Sequence, residues 1–248
     1  MPDASQSERL QPNTIATQVY RRLREDIVTG VLPPGMHLVR RTLAKRYGVS
    51  VLPVMEACFR LENDGLVENS PLLGAHVINI TVEITEEERV FREAIECQAA
   101  RELVAVAPEA AKNKLRELAE TLDLIQESLG GGDEQVERTF QRRHSEFHLF
   151  IARQARAKLL YRQMRRLWFR RLMLSCNINT SLFPHPKGWH ARLAGELCSG
   201  DQDRAEREMR AHIRFNRDKN AEAVRELLRR GREGLIGGML EQEALAAD

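Results

Sequence analysis

Past about residue 84 the chain carries no strand pattern, and its apolar residues recur at helical spacing in one segment after another. This excludes a sheet from the second two thirds of the molecule and predicts an all-α bundle there. Helices are expected from Thr85 onward and over 108–129, 133–155, 157–180, 189–199 and 202–230. Breaks are expected at Gly130-Gly131-Gly132, Ser181–Gly188 and Ser199-Gly200-Asp201. Thr85-Glu86-Glu87-Glu88 reads as a capping box leading into Val90, Phe91, Ala94 and Ile95. Pro108 suits a first helical turn.

Ahead of this body the texture differs. An apolar stripe at Ile15, Val19, Leu23 and Ile27 predicts a helix ending at Gly30. A short helical segment with Leu38, Leu43 and Ala44 inward follows the turn Val31–Gly35. After the turn Gly48-Val49-Ser50 a further helix starts at the N-cap Ser50, buries Val54, Ala57, Cys58 and Leu61, and stops at Asp64-Gly65. Leu66–Asn69 and Ala75–Ile80 then read as two strands around a turn at Pro71 and Gly74. This order is that of a winged helix-turn-helix. The expected fold is therefore mostly α. It comprises a polar tail over 1–12, a winged helix-turn-helix over 13–80, a helical domain over 85–230 and a tail over 231–248.

The formal net charge of +2 is too small to announce a nucleic-acid partner by itself, so local charge must carry that case. Cys58, Cys97, Cys176 and Cys198 are scattered without a CxxC pair, which fits reduced thiols rather than a disulfide framework or zinc ribbon. The polar N-terminus has no apolar signal core, and no apolar run approaches the roughly 20 residues needed to span a bilayer, so a cytoplasmic protein without a membrane partner is expected.

The string QVYRRLREDIVTGVLPPGMHL, then LAKRYGVS, then PV.EA..RLENDGLVE and G.HV, within residues 18–77, resembles GntR-type regulators of the FadR group. VFREAIE, FHLFIA and WHARLAGELCSGDQDRAEREMRAHI, across about 87–229, resemble their ligand-binding FCD domain. The resemblance implies a homodimer on a pseudo-palindromic double-stranded DNA operator, and a small carboxylate effector bound beside a divalent metal. It implies a regulator, most simply a repressor, and not an enzyme.

In a helix-turn-helix the N-terminal side chains of the second helix meet base edges in the major groove, and arginine is the commonest reader of guanine. The family's usual Ser-Arg-x-Pro-Val-Arg is here Ser50-Val51-Leu52-Pro53-Val54-Met55, and the wing arginine before Gly74 is Leu73. Arg40, Arg41, Lys45, Arg46, Arg60 and His76 suit phosphate contacts. Val51, Leu52 and Met55 can touch thymine methyls, or form an apolar patch for a protein partner in a relative whose DNA binding has weakened. Between Thr14 and Val77 eight Lys/Arg face six Asp/Glu, a weak excess.

His144 and His148, at i and i+4, leave one face of a single helix; His190 and His212 lie on two others. Three helices of a bundle can bring such imidazoles to one point. These four positions match the family's metal ligands, with His144 where aspartate is usual. Four imidazoles suit a divalent transition metal, zinc or nickel first, and three leave an open position for a carboxylate. Glu146 points off that face, which removes the nearest proton acceptor an enzyme would need. His37 and His185 are expected to be structural. Arg92 matches a family position that holds the effector carboxylate, with an ion pair to Glu96 at i+4 as its other role. Phe147–Gly195 contains ten Lys/Arg and no Asp or Glu. Within that run Arg171 falls among apolar residues by helical phase, so it either snorkels out or meets an anion inside.

Overall fold

A computed structural model describes residues 14–70, 74–129, 133–177, 185–215, 217–219 and 221–229. The contacts divide the chain into two compact units, with the boundary between Ile78 and Asn79. The tails expected at 1–12 and 231–248, the turn residue Pro71, the glycine run 130–132 and Leu73 lie outside the described residues, as do residues 181–184 of the 181–188 loop.

The first unit holds α1 (Ile15–Val28), α2 (Arg40–Tyr47), α3 (Val51–Asn63), β1 (Val67–Ser70) and β2 (Gly74–Val77). Val19, Leu23 and Ile27 of α1 are buried as the stripe requires, but Ile15 is exposed and Ala16 turns inward instead. α3 buries the expected Val54, Ala57, Cys58 and Leu61. Gly48 joins α2 to α3 with φ +65°, a left-handed conformation that a β-carbon disfavours, which is why glycine ends α2 there. The strands pair antiparallel with Val67 opposite Val77 and Ser70 opposite Gly74. The chain before α2 adds to the edge of β2: Leu38 N–H donates to Ala75 O (2.8 Å) and Val77 N–H to Met36 O (2.9 Å).

The regular elements among the second unit's described residues are all helices: α4 (Val82–Val106), α5 (Glu109–Glu127), α6 (Glu134–Gln154), α7 (Lys158–Asn177), α8 (Trp189–Leu197) and α9 (Gln202–Arg214). Its core gathers Leu103, Leu115, Leu122, Phe147, Ile151, Leu193, Leu197 and Met209 from five of these helices. α4 and α9 are clamped by the buried Glu93, which accepts from Arg214 Nε (2.9 Å) and Nη2 (2.7 Å), from Arg210 Nη1 (3.1 Å) and from Arg89.

Two sequence expectations need correction. The first bundle helix starts at Val82, capped by Thr81, whose Oγ1 accepts from Ile84 N–H (3.2 Å); Thr85 instead donates its hydroxyl to Thr81 O (2.7 Å) inside the first turn. Thr85-Glu86-Glu87-Glu88 has the composition of a capping box, but Thr81 lies one turn earlier in extended backbone, and that position is where a cap can act. The helix expected over 202–230 is interrupted at Phe215, whose ψ of 136° leaves the helical region, and resumes at 217–219 and 221–229.

Thr81→Ala is expected to lower unfolding stability by about 1 kcal/mol, the usual value of an N-cap. Thr85→Ala should cost clearly less. Urea unfolding of the two variants beside the parent chain measures both, and equal losses would place the cap elsewhere.

Candidate metal centre and nucleic-acid face

α6 turns Phe140, Phe147, His148 and Ile151 inward and leaves Arg142, Arg143 and Glu146 outside, so His144 and His148 enter the bundle on its apolar face. Glu146 pairs with Arg143 at the surface (2.8 Å), away from the imidazoles. α8 brings His190 and α9 brings His212. His144, His190 and His212 each offer a ring nitrogen within 4.8 Å of the others. His148 joins them through Nε2, which lies 3.1 Å from His144 Nε2 and 3.2 Å from His212 Nε2. All four predicted histidines are thus gathered at one place.

The rings are oriented from outside. His190 Nδ1 donates to Asp123 Oδ1 (2.8 Å), leaving its Nε2 buried without a partner. Asp123 also accepts from His190 N–H (3.0 Å) and Ala191 N–H (2.9 Å), so one carboxylate both caps α8 and sets the tautomer of its histidine. His148 Nδ1 lies 2.8 Å from Glu96 Oε2, a close contact without the alignment of a good hydrogen bond. Arg92 Nε donates to Glu96 Oε1 (2.7 Å). Trp168 stacks on His148 with centroids 4.4 Å apart, and Trp189 on His212 at 5.4 Å.

Burial pushes the His148 imidazole down to about 4 despite Glu96, and holds those of His144 and His212 well below the usual histidine range. Burial alone would raise Glu96, but Arg92 and His148 bring it to about 2. Neutral imidazoles beside ionised carboxylates form the donor set of a carboxylate–histidine–metal site. Three Nε2 lone pairs cannot face one another without a shared proton or a cation between them. Two nitrogens about 2.0–2.1 Å from one zinc ion lie about 2.9 Å apart at a right angle and about 3.3 Å apart at the tetrahedral angle. The separations of 3.1 and 3.2 Å fall in that interval, and the orphaned His190 Nε2 supplies a further ligand. The residues therefore fit a divalent transition ion.

Arg92 is taken up by Glu96, so the helix-internal ion pair is the role the structure displays for it. His185 packs its ring against Phe215 (5.3 Å) and approaches His190 (6.3 Å). Asp123, 67 residues from His190, was invisible to sequence reasoning because nothing local connects them. Glu96 was visible only as the i+4 partner of Arg92.

On the first unit Ser50, Val51 and Leu52 open α3 and are exposed, the last two by 42% and 57%, while Met55 is half-buried. Arg41, Lys45 and Arg46 are exposed on α2 and Arg40 is half-buried; Arg46 pairs with Asp26 (3.2 Å). Arg60 packs back on α1, with Nη1 on Thr17 Oγ1 (3.1 Å) and its guanidinium 4.0 Å from the Tyr20 ring. Gly74 opens β2 in the left-handed region (φ +68°). His76, expected at the phosphates, is buried to 7% exposure and faces His37 inside the hairpin.

His190→Ala is expected to reduce bound metal to a small fraction of the parent level, measured by elemental analysis of protein purified without chelator; undiminished metal would rule out this site. His144→Ala and His148→Ala distinguish the contributions of the paired histidines. In chelator-treated protein, the depressed His148 means that the unfolded chain takes up a proton first on acidification, so stability is lost as pH falls from 6.5 to about 4. Thermal melts across that range should show the fall, and His148→Gln should make it shallower without abolishing it, since His144 and His212 are held low as well.

Residues 15–77 match the family described as Bacterial regulatory proteins, gntR family, and residues 89–215 match the FCD domain. The chain is 36% identical over 92 residues to the HTH-type transcriptional repressor RspR of Escherichia coli K12, a stretch covering 37% of this chain and 40% of that protein. It is 27% identical over 227 residues to the uncharacterized HTH-type transcriptional regulator YdhC of Bacillus subtilis 168, covering 90% and 96%. Its fold is similar to that of E. coli McbR/YncC (TM-score 0.66, 22% identity, 86% and 98% coverage) and of a GntR regulator from Rhodococcus sp. RHA1 (TM-score 0.64, 20% identity, 84% and 98% coverage). With a gntR-type winged helix followed by an FCD domain covering half its length, the chain belongs to the GntR family of bacterial transcription regulators.

Proposed function

We propose that this protein is a metal-dependent, ligand-responsive repressor that binds its operator as a homodimer in the cytoplasm and responds to a small carboxylate. The convergence of His144, His190 and His212, backed by Asp123 and Glu96, carries this reading. A bound zinc or nickel ion would supply an electrophilic position for the effector carboxylate. His144, His148, His190 and His212 would hold the ion through neutral ring nitrogens, while Trp168 stacks on His148 and Trp189 on His212. Arg92 gives two of its guanidinium nitrogens to Glu96 and retains N–H donors for the effector. An effector bound more tightly in one arrangement of the dimer shifts the separation of the two winged helices, and with it the fit to two half-sites.

On DNA, Arg41, Lys45 and Arg46 serve as phosphate contacts, assisted by Arg40, and Ser50, Val51, Leu52 and Met55 meet the bases. Apolar side chains at 51 and 52 favour thymine methyls over guanine. Their exposure also supports a second reading, in which the helix presents an apolar patch to a protein partner and DNA binding is weak.

Gel shifts on the region upstream of the protein's own gene, across a salt series and with or without metal, separate the two. A specific site whose affinity falls steeply with salt is expected; none at any salt or metal loading would favour the interaction module. Val51→Arg with Met55→Arg is expected to raise affinity for operators of arginine-bearing family members by about tenfold or more, since one bidentate guanine contact contributes roughly 1–3 kcal/mol. An unchanged shift would overturn this account of the reading helix.

A further inference from the structure

A cavity of about 190 Å³ lies in the second unit beside the first turns of α4, the middle of α7 and the helical residues after Phe215. None of the four clustered histidines lines it. Five arginines do, namely Arg89, Arg92, Arg171, Arg217 and Arg225, and only Glu86 and Asp218 among its lining residues oppose them. These cations are not equivalent. Arg89 and Arg217 share Glu86, with Nη2 of each 2.7 Å from its Oε1, and Arg92 is held by Glu96. Arg171 is the exception: its Nε is buried without a hydrogen-bond partner.

Arg92 and Arg171 line this cavity together and both lie at the Trp168 ring. Their guanidinium carbons lie 4.9 and 5.9 Å from the centre of the same Trp168 ring. Burial pushes the Arg171 guanidinium down to about 9, and the charge of Arg92 adds to the effect. Two guanidinium groups in one partly dry space repel unless an anion lies between them, and a guanidinium fork presents paired N–H groups suited to an oxyanion.

We infer that this arginine-walled cavity is a second ligand site, separate from the histidine cluster, that takes a compact polyanion carrying at least two oxyanion groups. The excess of arginine selects charge, since one oxyanion would leave the lining cationic. The volume selects size, being below the roughly 300–1,000 Å³ of pockets for drug-sized ligands. A small di- or tricarboxylate and a phosphorylated metabolite share this chemistry. Arg171 is the specificity-determining residue, because it alone of the inner pair lacks a carboxylate partner of its own. The site goes beyond the metal-held carboxylate proposed above; it shares Arg92 with that reading, and titration of metal-free protein separates the two.

The test is isothermal titration of full-length protein, freed of metal by chelation and desalting, with citrate, pyrophosphate and acetate. Citrate or pyrophosphate should bind, the tighter of the two identifying the source, with acetate at least about tenfold weaker. Arg171→Gln should weaken the polyanion by about tenfold, the scale of one charge-assisted hydrogen bond. Arg225→Gln, at an exposed position on the rim, should weaken it severalfold, and it carries the test if Arg171→Gln fails to fold as judged by circular dichroism. His190→Ala should leave it unchanged. The inference is overturned if neither polyanion binds, if acetate binds equally well, or if His190→Ala abolishes binding while the arginine variants retain it.

Discussion

Placing several imidazoles inside an apolar helical bundle makes any ring N–H without an acceptor costly, and in this protein two carboxylates stand beside two of the four rings, while His212 Nδ1 is buried without a partner. Glu96 stands beside His148 Nδ1 and Asp123 accepts from His190 Nδ1. Each carboxylate is in turn stabilised, Glu96 by Arg92 and Asp123 by the first N–H groups of α8. A carboxylate buried without such donors would take up a proton and release its histidine. The Nε2 atoms of His148 and His190 then face the cluster because the opposite edges of those two rings meet carboxylates.

α4 connects this arrangement to the rest of the domain. One stretch of it supplies Arg92 and Glu96 to the interior and Glu93 to the arginines of α9, while Ala99, Ala100 and Leu103 join the apolar core. A register shift in α4 would therefore disturb the His148 support, the α9 clamp and the arginine cavity together. The same helix carries Glu86, Arg89 and Arg92, which line that cavity. The two candidate ligand sites thus share a wall through the Arg92–Glu96–His148 chain, and a perturbation of Arg92 has a short physical path to the histidines.

Much of this was readable from spacing. His144 and His148 at i, i+4 had to share a face, and the apolar period placed α5, α6 and α8 within a residue or two of where they lie, because amphipathic helices report their buried face locally. Other features escaped for equally physical reasons. Composition at Thr85 imitates a cap, whereas backbone direction at Thr81 decides where a cap works, so the first bundle helix begins earlier than its sequence suggests. No proline or glycine marks the break at Phe215, so the apolar period after Gly200 runs through it without interruption.

The sequence by itself determined the class of each region, the order of the elements and the residue types available for chemistry, since these follow from short-range periodicity and from motif composition. It also set the apolar opening of α3, which no packing arrangement alters. Only the tertiary structure decided which charges meet: that Asp123 serves His190, that Glu96 stands between Arg92 and His148, that His76 faces inward, and that Arg171 enters a cavity with other arginines. Those pairings join residues up to dozens of positions apart, and their energies depend on burial and distance, quantities that exist only once the helices have packed.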